Sequence, residues 1–314
     1  MAETSRAVRL SWFGGADALM IDPTEIPQPR DDEVLVRVVA ASVNPVDYKI
    51  REGKYPAVQE DDLPIILGRD LAGTIEALGT RAHYMLSKGE PVFAFIGQDR
   101  GAQSDHVVVK AIELVAAPRS IDLVHAAAVP LAAITAWQGL FDHGGLKEGQ
   151  RVLIHGGAGG VGHFAIQLAK AKGATVFTTC SGDDVEFVRE LGADVGIDYK
   201  KERFEDIAKD IDVVFDLIAG ETQDRSWAVL REGGIMVSTL VEPDKRKAAE
   251  HKARSAPRYT AQPNAAQLRE VADLIDAGKV KVVVSETFPL DEVRAAHERL
   301  EKGGIRGKIV LTLT

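Results

Sequence analysis

The sequence predicts an α/β fold in two domains, in which a doubly wound parallel sheet accompanies a compact, barrel-like β domain. Short strand-like runs separated by turn residues fill the first third of the chain. From about residue 122, short apolar runs alternate with helical patterns, as in a parallel sheet covered by helices. One of those runs leads through a glycine-rich turn into a helical segment. The 314 residues are enough for two such domains.

The elements follow from local patterns of apolar and turn residues. In the β-rich part, strands are predicted at 7–10, 33–41, 73–78, 91–96 and 104–109. In the alternating part, strands are predicted at 152–154, 175–179, 195–199, 213–217 and 235–238, with helices at 163–172, 185–191 and 222–230. The remaining predictions are a helix at 264–277, a strand at 281–284, a helix at 291–300 and a strand at 308–312. The charged, helix-neutral segment 243–258 is predicted to be a mobile loop.

The glycine-rich turn has the spacing of a dinucleotide-binding loop. Gly157, Gly159 and Gly162 follow a predicted strand in the register G-x-G-x-x-G. We expect Gly157 to allow the turn, Gly159 to let a pyrophosphate approach, and Gly162 to bring the helix close to the sheet. Gly160 and Val161, at the start of the helix, would offer free N–H groups to the phosphates. The alternative is a plain glycine-rich turn.

The end of the second strand of the alternating part bears on the choice of cofactor. NAD-binding units usually carry an acidic residue there for the ribose 2′-OH. Residues 178–182 contain no carboxylate, and Ser181 and Tyr199 could reach a 2′-phosphate. This favours NADPH over NADH. No arginine or lysine lies at the strand end, however, and Asp183 and Asp184 follow directly.

Bulk composition excludes several function classes. The net charge of −9 argues against nucleic-acid binding and against an anionic membrane surface. The most apolar stretch, 123–141, contains His125 and Pro130, so a buried helix is a better interpretation than membrane insertion. The single cysteine, Cys180, cannot form an internal disulfide, which fits a cytoplasmic protein.

Seven segments together resemble a known family. They are 40–49, 64–73, 127–132, 135–137, 191–194, 212–216 and 306–311. In order and spacing they resemble the zinc-independent medium-chain dehydrogenase/reductases of the quinone oxidoreductase and zeta-crystallin type. The resemblance implies a GroES-like catalytic domain at 1–121 plus 279–314, and a Rossmann domain inserted at 122–278. It also implies an active site over the carboxyl ends of the parallel strands and makes a homodimer possible.

The resemblance further implies that catalytic zinc is absent. In zinc-dependent relatives the first ligand position matches Asn44, and the Gly-His-Glu motif matches Gly68, Arg69 and Asp70. Neither Asn44 nor Arg69 is a plausible zinc ligand, and one cysteine cannot form a structural zinc lobe. We expect Arg69 and Asp70 to form an ion pair in place of the metal site.

The same resemblance suggests roles for individual residues. Asn44 would orient the nicotinamide or the substrate carbonyl, unless it is only a turn residue before Pro45. Tyr48 would give a proton or hydrogen bond to the developing enolate, unless it merely lines the substrate site. Further cofactor contacts are expected from Thr135, Leu217, Ala219, Leu240 and Lys308.

The expected reaction is hydride transfer from NADPH to a quinone or an α,β-unsaturated carbonyl, such as an enone or alkenal. Two alternatives stay open. An enoyl-thioester reductase would need a basic channel, for which Lys245, Arg246 and Lys247 are a weak indication. A sensor or structural protein that binds NADPH without turnover is the other.

Overall fold

A computed structural model of the chain describes residues 4–84 and 86–313. The strands are β1 (Thr4–Leu10), β2 (Leu19–Glu25), β3 (Glu33–Val43), β4 (Ile65–Ile66), β5 (Asp70–Leu78), β6 (Pro91–Phe95), β7 (His106–Lys110), β8 (Val115–Ala116), β9 (Arg151–His155), β10 (Thr175–Cys180), β11 (Val195–Asp198), β12 (Ile211–Asp216), β13 (Leu230–Ser238), β14 (Arg254–Ser255), β15 (Val284–Pro289) and β16 (Lys308–Thr312). The helices are α1 (Pro45–Arg51), α2 (Leu123–Ala127), α3 (Pro130–Trp137), α4 (Gly162–Ala171), α5 (Val185–Glu190), α6 (Phe204–Ile207), α7 (Glu221–Ser226), α8 (Lys245–Glu250), α9 (Ala265–Asp276) and α10 (Val293–Glu301).

The chain divides into two compact units, each made of more than one segment. The first unit contains the described residues of 1–131, 263–276 and 282–314, and the second contains 132–262 and 277–281. These limits differ from the predicted domain ranges. Helix α2 packs on β3, β5 and β6, and α9 packs on β6 and β8, so both helices belong to the first unit.

The second unit is built on a parallel sheet. Within the described residues its strand order is β11-β10-β9-β12-β13-β14, and every pairing is parallel. The first five strands have the order of a dinucleotide-binding sheet, with the reversal next to β9. Apolar residues such as Leu153, Phe177, Val214 and Met236 form its core. The predicted doubly wound sheet is therefore confirmed.

The first unit is a β domain closed by the last strand of the chain. Its larger sheet has the order β15-β16-β3-β5-β6-β8, with β7 also paired to β3. Strand β16 pairs antiparallel with β3, so that Lys308 enters the sheet next to the turn that begins α1. A smaller sheet, β2-β1-β4, lies beside it in the same unit.

Two local predictions are wrong, and the patterns missed some of the elements. Strand β2 was not predicted, because Asp22 and Pro23 interrupt its apolar pattern. The strand predicted at 281–284 starts only at Val284, because the side chain of Gln167 binds both the N–H and the C=O of Lys281. The segment 243–258 is not a loop throughout, since it forms α8 and β14 at the edge of the parallel sheet.

Candidate functional site

The glycine loop joins β9 to α4 in the second unit. Gly156 takes the positive φ of the turn, +79°, a role that the sequence had suggested for Gly157. A side chain at Gly157 would start 2.1 Å from Thr178 Oγ1, and one at Gly162 would start 2.1 Å from the carbonyl oxygen of Gly156. At Gly159 an added Cβ would meet only the Gly156 oxygen, at 3.5 Å. Packing therefore requires glycine at 157 and 162, whereas Gly159 faces open space.

The start of α4 offers unused backbone donors beside that open space. The N-cap residue Val161 receives no side-chain hydrogen bond. Within residues 4–84 and 86–313, the N–H groups of Gly160, Val161 and Gly162 donate to no acceptor. Free N–H groups and the positive end of the helix dipole favour an anionic group such as a pyrophosphate.

A series of buried hydrogen bonds holds Gly156, the first residue of the glycine loop. His155 bonds through Nδ1 to Thr179 Oγ1 (3.0 Å) and through Nε2 to Ser226 Oγ (2.8 Å). Burial lowers the pKa of His155 to about 4, so this ring is neutral near pH 7. Thr179 also accepts the N–H of Gly156, through its carbonyl oxygen at 3.1 Å. Sequence reasoning missed this support, because Ser226 lies 71 positions from His155.

The loops that follow β12 and β13 are held at the carboxyl ends of the strands. Asp216 Oδ1 accepts the N–H groups of Ile218 and Ala219, at 3.0 and 2.9 Å, and Ala219 has a φ of +66°. Gln223 donates to Asp216 Oδ2 (2.9 Å) and to the carbonyl oxygen of Val241 (3.0 Å). Leu217, Ala219 and Leu240 are all partly exposed at this edge.

The end of β10 carries the residues predicted to meet a 2′-phosphate. The hydroxyl of Ser181 donates to Asp184 Oδ2 at 2.5 Å, so it is already engaged. Tyr199 is 60% exposed, directly after the end of β11, which pairs with β10. Lys200 Nζ lies 5.9 Å from the Tyr199 ring centroid. This lysine, which the sequence argument did not use, is a cation near the strand end.

Thr135 lies on α3 and is buried, with 8% of its surface exposed. Its carbonyl oxygen accepts the hydroxyl of Tyr259 at 2.6 Å, and Tyr259 stacks on His143. The tyrosine is therefore part of the packing under α3.

In the first unit, Asn44 is part of a buried hydrogen-bonded cluster. Its Nδ2 donates to Asp70 Oδ2 (2.9 Å) and to Ser42 Oγ (3.1 Å), and its Oδ1 accepts Lys308 Nζ. Asp70 also accepts the Ser42 hydroxyl and the N–H of Leu131. Asn44 and Lys308 are only 3% and 4% exposed. Both amide hydrogens of Asn44 are thus used inside the protein, and Lys308 binds Asn44.

Tyr48 and Asp47 lie next to this cluster on α1. Asp47 is fully buried, and its Oδ2 accepts the N–H of Asn44 at 2.8 Å while Oδ1 has no partner among the described residues. Burial raises the pKa of Asp47 to about 6. Tyr48 is half-buried, and its hydroxyl makes no hydrogen bond within the described part of the chain. Burial also raises the pKa of Tyr48, which keeps its hydroxyl protonated.

Arg69 does not form the predicted ion pair with Asp70. The Asp70 carboxylate is occupied by Ser42, Asn44 and Leu131. Arg69 Nη1 instead donates to the carbonyl oxygen of Gly97 at 2.9 Å. That part of the prediction is wrong, because Asp70 faces the Asn44 cluster whereas the guanidinium extends toward residue 97.

The donor set does not fit a zinc ion. Asn44 Oδ1 already accepts the Lys308 ammonium, and Arg69 is cationic. In the described ranges, histidine, cysteine, aspartate and glutamate side chains nowhere form a group of three or more that could hold a metal ion.

A membrane span needs a long apolar helix, and none of the helices in the described ranges meets that requirement.

Lys245, Arg246 and Lys247, which gave a weak indication of a coenzyme channel, lie at the start of α8. Lys245 pairs with Glu242 at 3.1 Å, Lys247 pairs with Asp224 at 2.6 Å, and Arg246 lies 3.5 Å from Asp244. Each cation has a carboxylate partner, so the triplet does not support phosphate binding.

Comparison with known proteins identifies the family. The alcohol dehydrogenase GroES-like domain family matches residues 30–119, and the family described as zinc-binding dehydrogenase matches residues 191–311. The chain is 36% identical over 314 residues to the chloroplastic NADPH-dependent alkenal/one oxidoreductase of Arabidopsis thaliana, covering 95% of this chain and 77% of that protein. It is 33% identical over 335 residues to the 2-methylene-furan-3-one reductase of Solanum lycopersicum, covering 99% and 82%.

A solved structure agrees with these relatives. The quinone oxidoreductase from Coxiella burnetii has a TM-score of 0.91 and 33% identity, covering 99% of this chain and all of that one. The match extends over both the GroES-like and the dinucleotide-binding parts. The chain therefore belongs to the quinone oxidoreductase family of the medium-chain dehydrogenase/reductase superfamily.

Proposed function

We propose that this chain is an NADPH-dependent oxidoreductase that reduces quinones or α,β-unsaturated carbonyl compounds without zinc. The glycine loop carries the proposal, because Gly159 opens onto free space beside the unused N–H groups of residues 160–162. These features fit the pyrophosphate of a dinucleotide. The substrate class is supported by the names of the two plant relatives, one an alkenal/one oxidoreductase and the other a methylene-furanone reductase.

NADPH is favoured over NADH by the groups at the end of β10. Residues 178–182 contain no carboxylate to repel a 2′-phosphate. Tyr199 is exposed there, and Lys200 lies beside its ring. Ser181 would have to exchange its bond to Asp184 for one to the phosphate. In this proposal Lys200 and Tyr199 provide most of the preference.

When bound, NADPH supplies the hydride. We assign the proton donor to Tyr48, because its hydroxyl is protonated and makes no bond inside the described part of the protein. The side chains of Asn44 and Lys308 bind each other. In this proposal they support the site in place of the cofactor contacts that the sequence predicted for them. Thr135, Leu217, Ala219 and Leu240 remain proposed cofactor contacts. The unit that contains Asn44, Tyr48 and Lys308 is the proposed catalytic domain, and the unit that contains the glycine loop is the proposed cofactor domain.

The test is consumption of NADPH or NADH with benzoquinone, phenanthrenequinone and a simple alkenal. We expect turnover with at least one acceptor and a higher kcat/KM with NADPH. Tight binding of NADPH without turnover on any acceptor would instead favour an enoyl-thioester substrate or a cofactor sensor. An equal kcat/KM for NADH would contradict the cofactor preference.

A reducing compartment such as the cytoplasm is also part of the proposal, because a chain with a single cysteine cannot form an internal disulfide. A homodimer is proposed as well. Light scattering after size-exclusion chromatography measures the mass in solution, and a monomeric mass would contradict the dimer.

A further inference from the structure

Arg69 stands out because it is a buried cation that forms no ion pair with a carboxylate among the described residues. Only 7% of its surface is exposed. Among the described residues, no carboxylate oxygen lies within 4.0 Å of its guanidinium, and its one hydrogen bond is from Nη1 to the carbonyl oxygen of Gly97. Arginines are almost never buried to this extent without a partner, because the desolvation of the charge is expensive.

The unused donors of Arg69 form one edge of the guanidinium. Nε and Nη2 donate no hydrogen bond within residues 4–84 and 86–313. Neither nitrogen is among the buried polar atoms that are both sealed from solvent and without a partner. Both nitrogens therefore keep some solvent-accessible surface. Together they present two parallel N–H groups suited to an oxygen carrying negative charge.

The surroundings of Arg69 hold one side of its guanidinium in place. Burial lowers the pKa of Arg69, and the nearby carboxylates, first among them Asp47 and then Asp99 and Asp70, oppose that shift. Asp47 precedes Tyr48 on α1, so Arg69 is within electrostatic range of the helix that carries the proposed proton donor. Tyr55 accepts a hydrogen bond from Gln98 at 2.8 Å, beside the Gly97 carbonyl that holds Nη1. Arg69 is thus fixed at one nitrogen and available at the others.

We propose that the Nε and Nη2 groups of Arg69 bind the carbonyl oxygen of the acceptor and stabilise the negative charge that develops there. This inference rests on the proposed function. When a hydride from NADPH adds to the β-carbon of an enone, the C=C electrons move to form an enolate and NADP⁺ is left. The enolate oxygen remains on Arg69 until a proton reaches the α-carbon, which restores the C=O bond. For a quinone, the same contact holds the hydroquinone anion.

The test compares Arg69→Met and Arg69→Lys with wild type, using Arg37→Met as a control on the exposed side of β3. We expect kcat/KM for the alkenal to fall about 10²- to 10³-fold in Arg69→Met, the range found when one preorganised oxyanion donor is removed. The dissociation constant of NADPH should not change. Added guanidinium ion should restore part of the activity of Arg69→Met, and the Arg37→Met variant should behave as wild type.

A second measurement needs no turnover. 4-Nitrophenolate resembles an enolate oxygen, so its dissociation constant should rise in Arg69→Met by at least about tenfold. Arg69→Met should still unfold cooperatively well above the assay temperature, as Arg37→Met does. A structural arginine would give a variant that is unfolded at the assay temperature and shows no guanidinium rescue.

The outcomes separate the two proposals. Unchanged kcat/KM and phenolate binding in Arg69→Met, with an active wild type, would overturn the role of Arg69 alone. A lower melting temperature together with weaker NADPH binding would also overturn it, in favour of a structural role. No turnover by the wild type on any acceptor would overturn the reductase proposal and, with it, the catalytic role of Arg69. Phenolate binding that depends on Arg69 would then still support an oxyanion site.

Discussion

At the scale of single residues, the cluster around Asn44 concentrates buried charge in a small volume. Asp47 and Asp70 are fully buried, and Lys308 is the cation that binds between Asn44 and the carbonyl oxygen of Val43. Burial raises the pKa of Asp70 and lowers that of Lys308, and each charge opposes the shift of the other. Asp47 is the member of this cluster with a carboxylate oxygen, Oδ1, left without a partner among the described residues.

We expect Asp47→Asn to stabilise the protein at neutral pH. The pKa of Asp47 rises from 3.8 to about 6 on folding. A raised carboxyl pKa means that the folded state binds more protons between those values, so the unfolding free energy falls as pH rises from about 4 to about 6. A shift of about two pKa units corresponds to a difference of about 3 kcal/mol above pH 7. The asparagine can still accept the Asn44 N–H.

Urea unfolding of both proteins across this pH range measures the effect. The stability difference should be small at pH 4 and should grow to its full size by pH 7. The control is Asp61→Asn, at an exposed position of the same unit. A difference independent of pH would mean that the substitution acts through packing and not through the Asp47 charge.

Tyr48→Phe tests the proton donor. The variant removes only the hydroxyl, which makes no hydrogen bond within the described residues, so stability should change little. If Tyr48 gives the proton, kcat should fall about 10²-fold, at the lower end of general acid catalysis. Initial rates and NADPH titration measure the two effects. A kcat equal to that of wild type would assign the proton to water.

Local features of the site were predictable from the sequence, whereas contacts between distant residues were not. The spacing of Gly157, Gly159 and Gly162 is local, so it identified the loop, although the residue at positive φ is Gly156. The contact between Lys308 and Asn44 joins residues 264 positions apart. Whether Arg69 pairs with its neighbour Asp70 depends on such distant partners, and adjacency in sequence could not decide it.

At the scale of elements, helix α8 ends in a backbone conformation that lysine adopts at a cost. The N–H of Ala253 donates to the carbonyl oxygen of Ala248 (2.8 Å), and that of Lys252 donates to Ala249 (3.1 Å). These are the two bonds of a Schellman motif, with Lys252 at the left-handed position, φ +51°. The predicted mobile loop is thus a capped helix, and its exposed charges concealed the helical pattern.

Lys252→Gly should therefore stabilise the protein by about 0.5–1 kcal/mol. Glycine avoids the left-handed penalty of about 1 kcal/mol or more, and its greater freedom in the unfolded chain offsets part of the gain. The ion pair between Lys252 and Glu232 is 3.6 Å long and more than 70% exposed on both sides, so its loss matters little. Chemical denaturation measures the change.

Lys252→Ala is the matched control for this prediction. It removes the same ion pair but keeps a Cβ at the left-handed position, so its stability should stay close to that of wild type. Equal stabilisation by alanine and glycine would show that the ion pair, and not the backbone conformation, decides the stability of this helix end.

At the scale of the whole molecule, the order of elements was predictable and the limits of the units were not. Alternating strand and helix patterns identify a parallel sheet, because each strand is buried on both faces. The unit limits depend on which side α2 and α9 pack, and their amphipathic patterns do not contain that information. The side chain of Gln167 binds the backbone of Lys281, 114 positions away. The five residues 277–281 accordingly belong to the second unit, although the residues on both sides of them belong to the first.

NADPH binding should raise the unfolding free energy of the protein, and a side chain at Gly159 should reduce that increase. At a hundredfold excess over its dissociation constant, NADPH should add about 2.7 kcal/mol to the unfolding free energy, and NADH at the same concentration should add less. Gly159→Ala should unfold like wild type without cofactor, because the new Cβ meets only one atom at 3.5 Å. If the pyrophosphate approaches at Gly159, that methyl group should weaken NADPH binding about tenfold and remove about 1.4 kcal/mol of the stabilisation. Thermal unfolding at several NADPH concentrations measures both quantities. Full NADPH stabilisation of Gly159→Ala would mean that the cofactor does not approach the loop at this glycine.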